Sequence, residues 1–261
     1  MSVDCFGRPA LLFLPASRAS AIARARRSQA DLVVLDLEDA VRAEDKAAAR
    51  AAAVDAVAEP WSMPVAIRIN AGNADDVAAV AKSNADLVVL PKCEGGIDDL
   101  GVRTGKPVLA MVETPRAVLG LARLIEAEAL AGLIAGTNDL AAELRLPPGA
   151  GRDSLAFALQ SILLAARARG IPAWDGVCNR LDDPAALAAE ATHGRALGFD
   201  GKSLIHPDQI EPVKRTFAPL PEEIARAERL LAAATGGASR FEGAMIEDLH
   251  VAAARRLLDR R

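Results

Sequence analysis

Short apolar runs alternate with longer alanine-rich segments along most of the chain. Eight runs, rich in Val, Ile and Leu, each have polar or charged residues at or just after their carboxyl ends: ALLFLP (10–15), LVVLDL (32–37), VAIRIN (65–70), LVVLPK (87–92), PVLAMVE (107–113), LAGLIAG (130–136), IPAWDGV (171–177) and FDGKSLI (199–205). Runs that are apolar throughout, rather than at every second position, are typical of strands buried on both faces of a parallel sheet. The intervening segments have helical periodicity, so the pattern predicts repeated strand–helix units.

Eight strand–helix units predict an α/β fold of the (β/α)8 type, the TIM barrel. The alternative is an open doubly wound sheet, which has fewer strands and a glycine-rich phosphate turn after the first strand. Here the first strand ends in Leu14-Pro-Ala-Ser-Arg18, without such a turn. The sequence therefore favours the barrel.

The C-terminal part of the chain departs from this repeat. A helix is predicted from Glu222 to about Ala234, closed by Thr235-Gly-Gly237, and a second helix over 241–261. We therefore expect a barrel domain over residues 1–235. A C-terminal helical extension over 236–261 would pack on the barrel or on a neighbouring subunit.

The charge balance, the length of the apolar runs and the cysteine spacing exclude several classes of protein. The chain has 261 residues, 31 Lys+Arg against 35 Asp+Glu, and a net charge of −4. This mildly acidic balance argues against a nucleic-acid partner, and no apolar run is long enough for a signal peptide or a membrane span. The three cysteines are widely spaced without a CxxC pair, which favours a reducing compartment. We expect a cytoplasmic protein with no membrane partner.

Active sites of TIM barrels lie at the carboxyl ends of the strands, so the polar residues that follow each run are candidates. Several of them interrupt apolar strands, where a buried charge needs a partner or a metal ion. The candidates are Ser17, Arg18, Asp36, Glu38, Asp39, Arg68, Asn70, Lys92, Glu94, Glu113, Thr137, Asn138, Asp139, Asp175, Asn179, Lys202 and His206.

Glu113 and Asp139 follow the adjacent fifth and sixth strands, so their carboxylates are expected to converge above the barrel. Carboxylate oxygens with water form the octahedral site that Mg²⁺ prefers. The three histidines are scattered and offer no zinc site. The alternative is that the two carboxylates pair with Arg68 or Lys92.

Two cationic residues have competing interpretations. Arg68, in Ile67-Arg-Ile-Asn70, can hold a substrate carboxylate through two parallel hydrogen bonds, or it can pair with Asp36 or Glu113. Lys92 could form a Schiff base if its pKa were lowered, but the many acids expected around it favour the charged ammonium. The arginine cluster at residues 24–27 is expected to be a solvated helix face.

Together these residues resemble the HpcH/HpaI aldolase–citrate lyase family, and in particular its citrate lyase β-subunit-like (CitE-like) branch. The resemblance implies a TIM barrel, a Mg²⁺ site with Mn²⁺ as the alternative ion, and carbon–carbon lyase chemistry on coenzyme A thioesters. The matching stretches are 14–18 (LPASR), 35–41 (LDLEDAV), 67–70 (IRIN), 90–94 (LPKCE), 112–115 (VETP), 136–140 (GTNDL) and 198–207 (GFDGKSLIHP).

The resemblance also implies a role for each matching residue. Glu113 and Asp139 match metal ligands, and Arg68 matches the residue that grips the carboxylate of the keto-acid product. The other matches are an acidic pair near the metal (Glu38 and Asp39), a loop near the thioester (Ser17 and Arg18) and substrate-binding residues before the second metal ligand (Gly136, Thr137 and Asn138).

One segment departs from the family pattern. Where relatives read roughly Gly-x-Met-Ile-Asp, this chain reads Gly243-Ala-Met-Ile-Glu247, followed by Asp248. The resemblance implies that this carboxylate acts in the site of an adjacent subunit, so Glu247 is the candidate acid or base. A closed homo-oligomer, a trimer by resemblance, is then expected.

Three functions remain open at the level of the sequence. The first is cleavage of citryl-, citramalyl- or malyl-CoA to acetyl-CoA and a keto acid. The second is the β subunit of a citrate lyase complex that depends on a carrier protein. The third is a metal-dependent aldolase that acts on free hydroxy-keto acids.

Overall fold

Eight parallel strands close a barrel in the order in which they occur along the chain. The computed structural model describes residues 3–234 and 236–259. Each observed strand lies within its predicted apolar run, which confirms the TIM barrel and excludes the open sheet. The strands are Ala10–Pro15 (β1), Leu32–Asp36 (β2), Val65–Arg68 (β3), Leu87–Leu90 (β4), Val108–Val112 (β5), Leu130–Ala135 (β6), Ala173–Asp175 (β7) and Gly201–Leu204 (β8).

Helices follow the strands and carry the chain back to the start of the next one. The first compact unit ends at residue 216, and the described α-helices up to that boundary, the last of which extends one residue past it, are Ala19–Ala25 (α1), Lys46–Ala58 (α2), Ala74–Lys82 (α3), Ile97–Thr104 (α4), Pro115–Leu119 (α5), Leu121–Leu124 (α6), Thr137–Glu143 (α7), Ala156–Arg169 (α8), Pro184–Leu197 (α9) and Ile210–Phe217 (α10). None of the described helices combines the length and apolarity that crossing a bilayer requires.

The interior of the barrel is filled by alternate residues of its strands. Successive strand residues point to opposite faces, so pairs two positions apart share the inner face. The buried cluster contains Leu11, Phe13, Leu32, Val34, Ala66, Leu87, Val89, Leu109, Met111, Ile134 and Trp174. One further step in the same alternation reaches Asp36 after Val34, Arg68 after Ala66 and Glu113 after Met111. The polar residues that interrupt the apolar runs thus form the layer above this core.

The second compact unit covers residues 217–261. It contains Pro221–Ala233 (α11), the antiparallel pair Ser239–Phe241 (β9) and Ala244–Ile246 (β10), and Asp248–Leu258 (α12). Its own apolar cluster joins residues of α11, the hairpin and α12: Ala227, Leu230, Phe241, Ile246 and Ala254. The predicted domain boundary after residue 235 falls inside this unit, and Thr235 itself lies outside the described residues. The division into a catalytic domain over 1–235 and an extension over 236–261 therefore stays a prediction.

The prediction of a helix from residue 241 is wrong at its start, because residues 239–246 form a β-hairpin. Glu242 and Gly243 have φ values of 47° and 82°, the left-handed pair that a two-residue type I′ turn requires. Arg229 donates to Glu242 Oε1 at 2.9 Å and Arg226 donates to its Oε2 at 3.1 Å, which hold the turn against α11. Strands of three residues are too short to show an alternating pattern, so the hydrophobic pattern of the sequence did not indicate them.

Candidate active site

Arg68 lies at the centre of the polar layer and is 8% exposed. β2 and β3 pair in a register that sets Asp36 opposite Arg68. The two side chains form a bidentate pair, in which Nε donates to Oδ1 and Nη2 donates to Oδ2, both at 2.6 Å. Burial disfavours the charge, but the hydrogen bonds that Arg68 donates to Asp36 and the attraction of the nearby carboxylates outweigh it and raise the pKa of Arg68. The guanidinium is therefore a fixed, permanent cation.

The turn after β2 places Glu38 beside this cation. Asp36 accepts hydrogen bonds from the backbone N–H groups of Glu38 at 2.8 Å and Ala40 at 3.1 Å, which fold the chain back over the strand end. Lys46 donates to the carbonyl of Glu38 at 2.6 Å. Glu38 Oε2 then lies 2.9 Å from Arg68 Nη1 without hydrogen-bond alignment, so this contact is mainly electrostatic. Burial raises the pKa of Glu38 despite its two cationic neighbours.

Glu113 follows β5 and is only 2% exposed. Its Oε1 accepts the backbone N–H of Lys92 at 2.7 Å. Burial raises the pKa of Glu113 to about 7, and the carboxylates of Asp139 and Glu38 act in the same direction. A nearly buried carboxylate with such a pKa needs a compensating cation to stay ionised at neutral pH.

Asp139 lies in the first turn of α7, directly after β6, and faces the same cavity as Glu113. Gly136 makes this convergence possible, because a Cβ at that position would overlap the Cβ and Oε2 of Glu113. The predicted meeting of the Glu113 and Asp139 carboxylates above the barrel therefore agrees with the geometry. The structure adds a third group beside Asp139, the Lys92 ammonium, which lies 3.1 Å from Asp139 Oδ2.

The Lys92 ammonium lies within 4 Å of three acids. Its Nζ lies 2.8 Å from Glu38 Oε1 and 3.9 Å from Asp39 Oδ1, in addition to Asp139. Burial opposes the charge, but the hydrogen bonds to Glu38 and Asp139 prevail and raise the pKa of Lys92. A Schiff-base lysine needs the opposite shift. The surroundings thus favour the charged ammonium, as the density of acids in the sequence indicated.

Most of these side chains line one cavity of about 470 Å³ at the carboxyl end of the barrel, whereas Glu38 and Lys92 are not part of its lining. Its charged wall is Arg18, Asp36, Asp39, Arg68, Glu113 and Asp139, and its apolar wall includes Phe13, Leu14, Met111, Val177 and Ile205. Among the described residues, no group of three His, Cys, Asp or Glu side chains is arranged to hold a metal ion. A cation here would therefore rest on two carboxylates and water, which is how proteins usually bind Mg²⁺.

The remaining predicted residues divide between the two compact units. Arg18, Thr137 and Asn138 line the cavity, whereas Ser17 is exposed on the loop after β1 and is absent from the lining. Glu247 belongs to the second unit, where it is the N-cap of α12 and its backbone N–H donates to His250 Nδ1 at 2.9 Å. Its predicted role in catalysis stays a prediction.

Asn179 is one of the candidates that follow a strand, and the sequence pattern assigns it no role. The Asn179 and Asn138 amides form reciprocal hydrogen bonds of 2.7 and 3.3 Å and join the loop after β7 to the first turn of α7 at the cavity wall. Lys202 is fully buried and donates to Asp175 at 3.0 Å and to the Gly176 carbonyl at 2.6 Å. It supports the loop that carries Asn179 rather than facing the cavity.

Comparison with known proteins agrees with this arrangement. Residues 9–207 match the model of the HpcH/HpaI aldolase/citrate lyase family, and residues 157–261 match that of the C–C bond lyases of the TIM-barrel fold. The chain belongs to the HpcH/HpaI aldolase/citrate lyase family. This member is accordingly a carbon–carbon lyase of the citrate lyase β type, and the resemblance seen in its motifs is confirmed.

Three relatives of this family member are informative. It is 37% identical to a (3S)-malyl-CoA thioesterase of Cereibacter sphaeroides, over 95% of this chain and 92% of that protein. It is 38% identical to a citrate lyase subunit beta-like protein of Mycobacterium tuberculosis, over 92% and 90% of the two chains. The structure of CitE from M. tuberculosis in complex with magnesium, acetoacetate and coenzyme A matches with a TM-score of 0.87 and 37% identity, covering 99% of each chain.

Proposed function

We propose that this chain is a Mg²⁺-dependent lyase that cleaves a β-hydroxyacyl coenzyme A thioester, such as citryl-, citramalyl- or malyl-CoA, to acetyl-CoA and a keto acid. The observation that carries the proposal is the convergence of Glu113, Asp139 and Arg68 on one cavity. The M. tuberculosis relative, whose structure contains magnesium and coenzyme A, supports the choice of metal and thioester.

The two carboxylates fit the metal. Glu113 and Asp139 offer the hard oxygen ligands that Mg²⁺ takes, and the absence of a Cβ at Gly136 makes room for the Glu113 side chain itself. Glu113 and Asp139 would hold the ion, with Mn²⁺ as an alternative occupant. When bound, the metal acts as a Lewis acid that stabilises the negative charge developing on the oxygen of the departing keto acid.

Arg68 orients the substrate. The bidentate pair with Asp36 occupies Nε and one N–H of Nη2, while Nη1 lies beside Glu38 and Met111 Sδ. An incoming carboxylate would take the remaining N–H of Nη2 and compete with Glu38 for Nη1. The keto-acid carboxylate binds there and is held in a fixed orientation to the cleaved bond. The apolar wall, which includes Met111 and Val177, excludes water from the other side.

The reaction is a retro-aldol cleavage with two proton transfers. Asp39, which lines the cavity, accepts the proton of the β-hydroxyl group, with the adjacent Glu38 as its acidic partner. The carbon–carbon bond then breaks to give the keto acid and a thioester enolate. A carboxylic acid protonates the enolate carbon, and we assign that step to Glu247 of a neighbouring copy in a homotrimer.

We also place the enzyme in the cytoplasm, in keeping with its three buried free cysteines.

The test is an acyl-CoA cleavage assay on the purified chain with citryl-, citramalyl- and malyl-CoA, each with and without Mg²⁺. We expect metal-dependent acetyl-CoA release that Glu113→Gln abolishes. Glu128→Gln is the matched control, because Glu128 is exposed and precedes β6, at the opposite end of the barrel from the cavity. Turnover that is independent of Mg²⁺, or that survives in Glu113→Gln, would refute the proposal.

The identity with the (3S)-malyl-CoA thioesterase favours a second candidate, hydrolysis of the thioester. The same assay separates the two reactions by their products. Lyase activity on malyl-CoA gives glyoxylate and acetyl-CoA, whereas hydrolysis gives malate and free coenzyme A. Turnover only when the acyl group is carried on a protein would instead identify a subunit of a citrate lyase complex.

A further inference from the structure

Lys92 has a strained backbone that gives it two separate contacts with the proposed metal ligands. Its φ of 47° lies in the left-handed region that side chains other than Gly, Asn and Asp rarely adopt. The backbone N–H points to Glu113 Oε1 at 2.7 Å, while the ammonium extends to Asp139 Oδ2 at 3.1 Å. Strained residues of this kind persist where the surroundings fix them, and they cluster at functional sites.

The Lys92 ammonium lies beside carboxylates that need a neutralising positive charge. Arg68 is committed to Asp36 and to one oxygen of Glu38, so Lys92 supplies the positive charge to the other oxygen of Glu38 and to Asp139. Its side chain is 42% exposed, and a lysine stem is flexible. The ammonium can therefore leave Asp139 for the solvent, for Glu38 or for Asp39 without unfolding the loop.

We propose that the Lys92 ammonium is a resident counter-ion that competes with the divalent metal for Asp139. This inference rests on the proposed function, because it takes Glu113 and Asp139 as the magnesium ligands. Without metal, Lys92 holds Asp139 in place. Metal binding displaces the ammonium from Asp139, since two cations drawn to the same carboxylate repel each other. The backbone N–H of Lys92 keeps Glu113 in position in both states.

This arrangement makes Lys92 a positioning residue that sets the metal affinity. A metal that must displace an ammonium binds more weakly than one that meets a free carboxylate, so half-saturation of the site needs a higher metal concentration. Removing the charge should therefore tighten metal binding. A lysine that served only as a structural support would have the opposite effect, because its loss would loosen both ligands.

The experiment measures binding of Mg²⁺ and Mn²⁺ to the full-length chain by isothermal titration calorimetry, without substrate. We expect Lys92→Met to bind either ion about tenfold more tightly than the wild type, equivalent to about 1.4 kcal/mol of removed repulsion. Lys92→Arg keeps the charge and should stay near the wild-type affinity. Lys82→Met is the matched control for net charge, because Lys82 is exposed at the end of α3 that leads into the start of β4.

Lys92→Asn gives a second uncharged variant that suits the left-handed backbone, in case Lys92→Met is poorly folded. Equal or weaker metal binding in both uncharged variants, with a wild type that binds Mg²⁺, overturns the inference and leaves the proposed function intact. If neither the wild type nor the variants bind Mg²⁺, the proposed metal site fails and the inference fails with it. Binding that appears only in the uncharged variants supports the competition in its strongest form.

Discussion

Arg68 shows at the scale of one residue why a charge is tolerated inside an apolar strand. The sequence predicted a guanidinium with either a structural or a substrate partner, and the structure shows the structural one directly. Asp36 neutralises one edge of the group, and the far edge lies at the cavity beside Glu38, whose contact there has no hydrogen-bond alignment. The two roles are therefore compatible, because an arginine offers more N–H groups than one carboxylate can occupy.

The Arg68–Asp36 pair gives a prediction about stability. Asp36→Asn would leave a buried guanidinium without its full partner, so we expect a loss of about 3 kcal/mol in the free energy of unfolding. Urea denaturation of the purified variant measures it. Asp99→Asn is the control, because its pair with Arg103 is exposed and should be worth less than about 1 kcal/mol. Equal losses in the two variants would contradict the account.

Glu113 gives a prediction about pH. Its pKa of about 7 in the folded protein, against an ordinary 4.5, means that the folded state holds its proton more tightly than the unfolded state does. Protonation therefore stabilises the metal-free fold, and this stability is lost as pH rises from about 4.5 through 7. Glu113→Gln lacks the titration, so relative to the wild type it should gain about 2 kcal/mol of stability between pH 5 and pH 8.

Urea unfolding at both pH values, in the presence of a chelator, measures this difference. Added Mg²⁺ should reduce the loss in the wild type and leave the variant unchanged, since the ion favours the ionised carboxylate. A wild-type stability that does not fall relative to Glu113→Gln as pH rises would show that Glu113 titrates normally.

At the scale of elements, the site depends on how closely β5 and β6 approach. Their pairing sets Val112 beside Ala135, so the residues that follow, Glu113 and Gly136, meet at the cavity. The requirement for glycine at residue 136 comes from this contact and not from a special backbone angle. In the motif GTND, Gly136 thus provides space for the Glu113 carboxylate, and Asp139 supplies the second carboxylate.

Gly136→Ala tests this packing. The added methyl group overlaps Glu113, so we expect Mg²⁺ affinity to fall at least roughly tenfold while the barrel stays folded. Gly151→Ala is the control, because a Cβ at Gly151 would meet no atom within 4 Å and the backbone there has no positive φ. Calorimetric titration with Mg²⁺ compares the two. Equal affinities would show that residue 136 has no influence on the position of Glu113.

At the scale of the whole molecule, the chain consists of a barrel unit and a smaller C-terminal unit with its own apolar cluster. The barrel unit carries every residue that lines the cavity. The smaller unit carries Glu247, whose proposed role requires a neighbouring chain. Assembly is therefore a functional question for this protein, since a site completed by another copy works only in the oligomer.

Mixing two inactive variants tests assembly of the site. Arg68→Ala removes substrate orientation, and Glu247→Ala removes the proposed proton donor. If the site combines both residues from different subunits, co-refolded mixtures should recover activity that neither variant has alone, at a level set by the fraction of mixed sites. No recovery from oligomers shown by mass spectrometry to be mixed would place both residues in the same subunit or leave Glu247 without a role.

The sequence by itself determined the barrel and most of its candidate site. Continuous apolar runs indicate strands that are buried on both faces. The polar residues at the carboxyl end of each run are the ones expected above the core. These signals are local, so each can be read within a single run. Glu113, Asp139, Arg68, Glu38 and Asp39 were all found this way.

Only the tertiary structure decided which charges meet. Lys92 and Glu38 lie 54 residues apart, and no local pattern indicates that the ammonium bridges Glu38 and Asp139. The C-terminal hairpin was hidden for a related reason, because its short strands are stabilised by packing against α11 rather than by their own periodicity. Partners that are distant in sequence are chosen by closure of the barrel and by the need to neutralise buried charge, and both act on the folded chain as a whole.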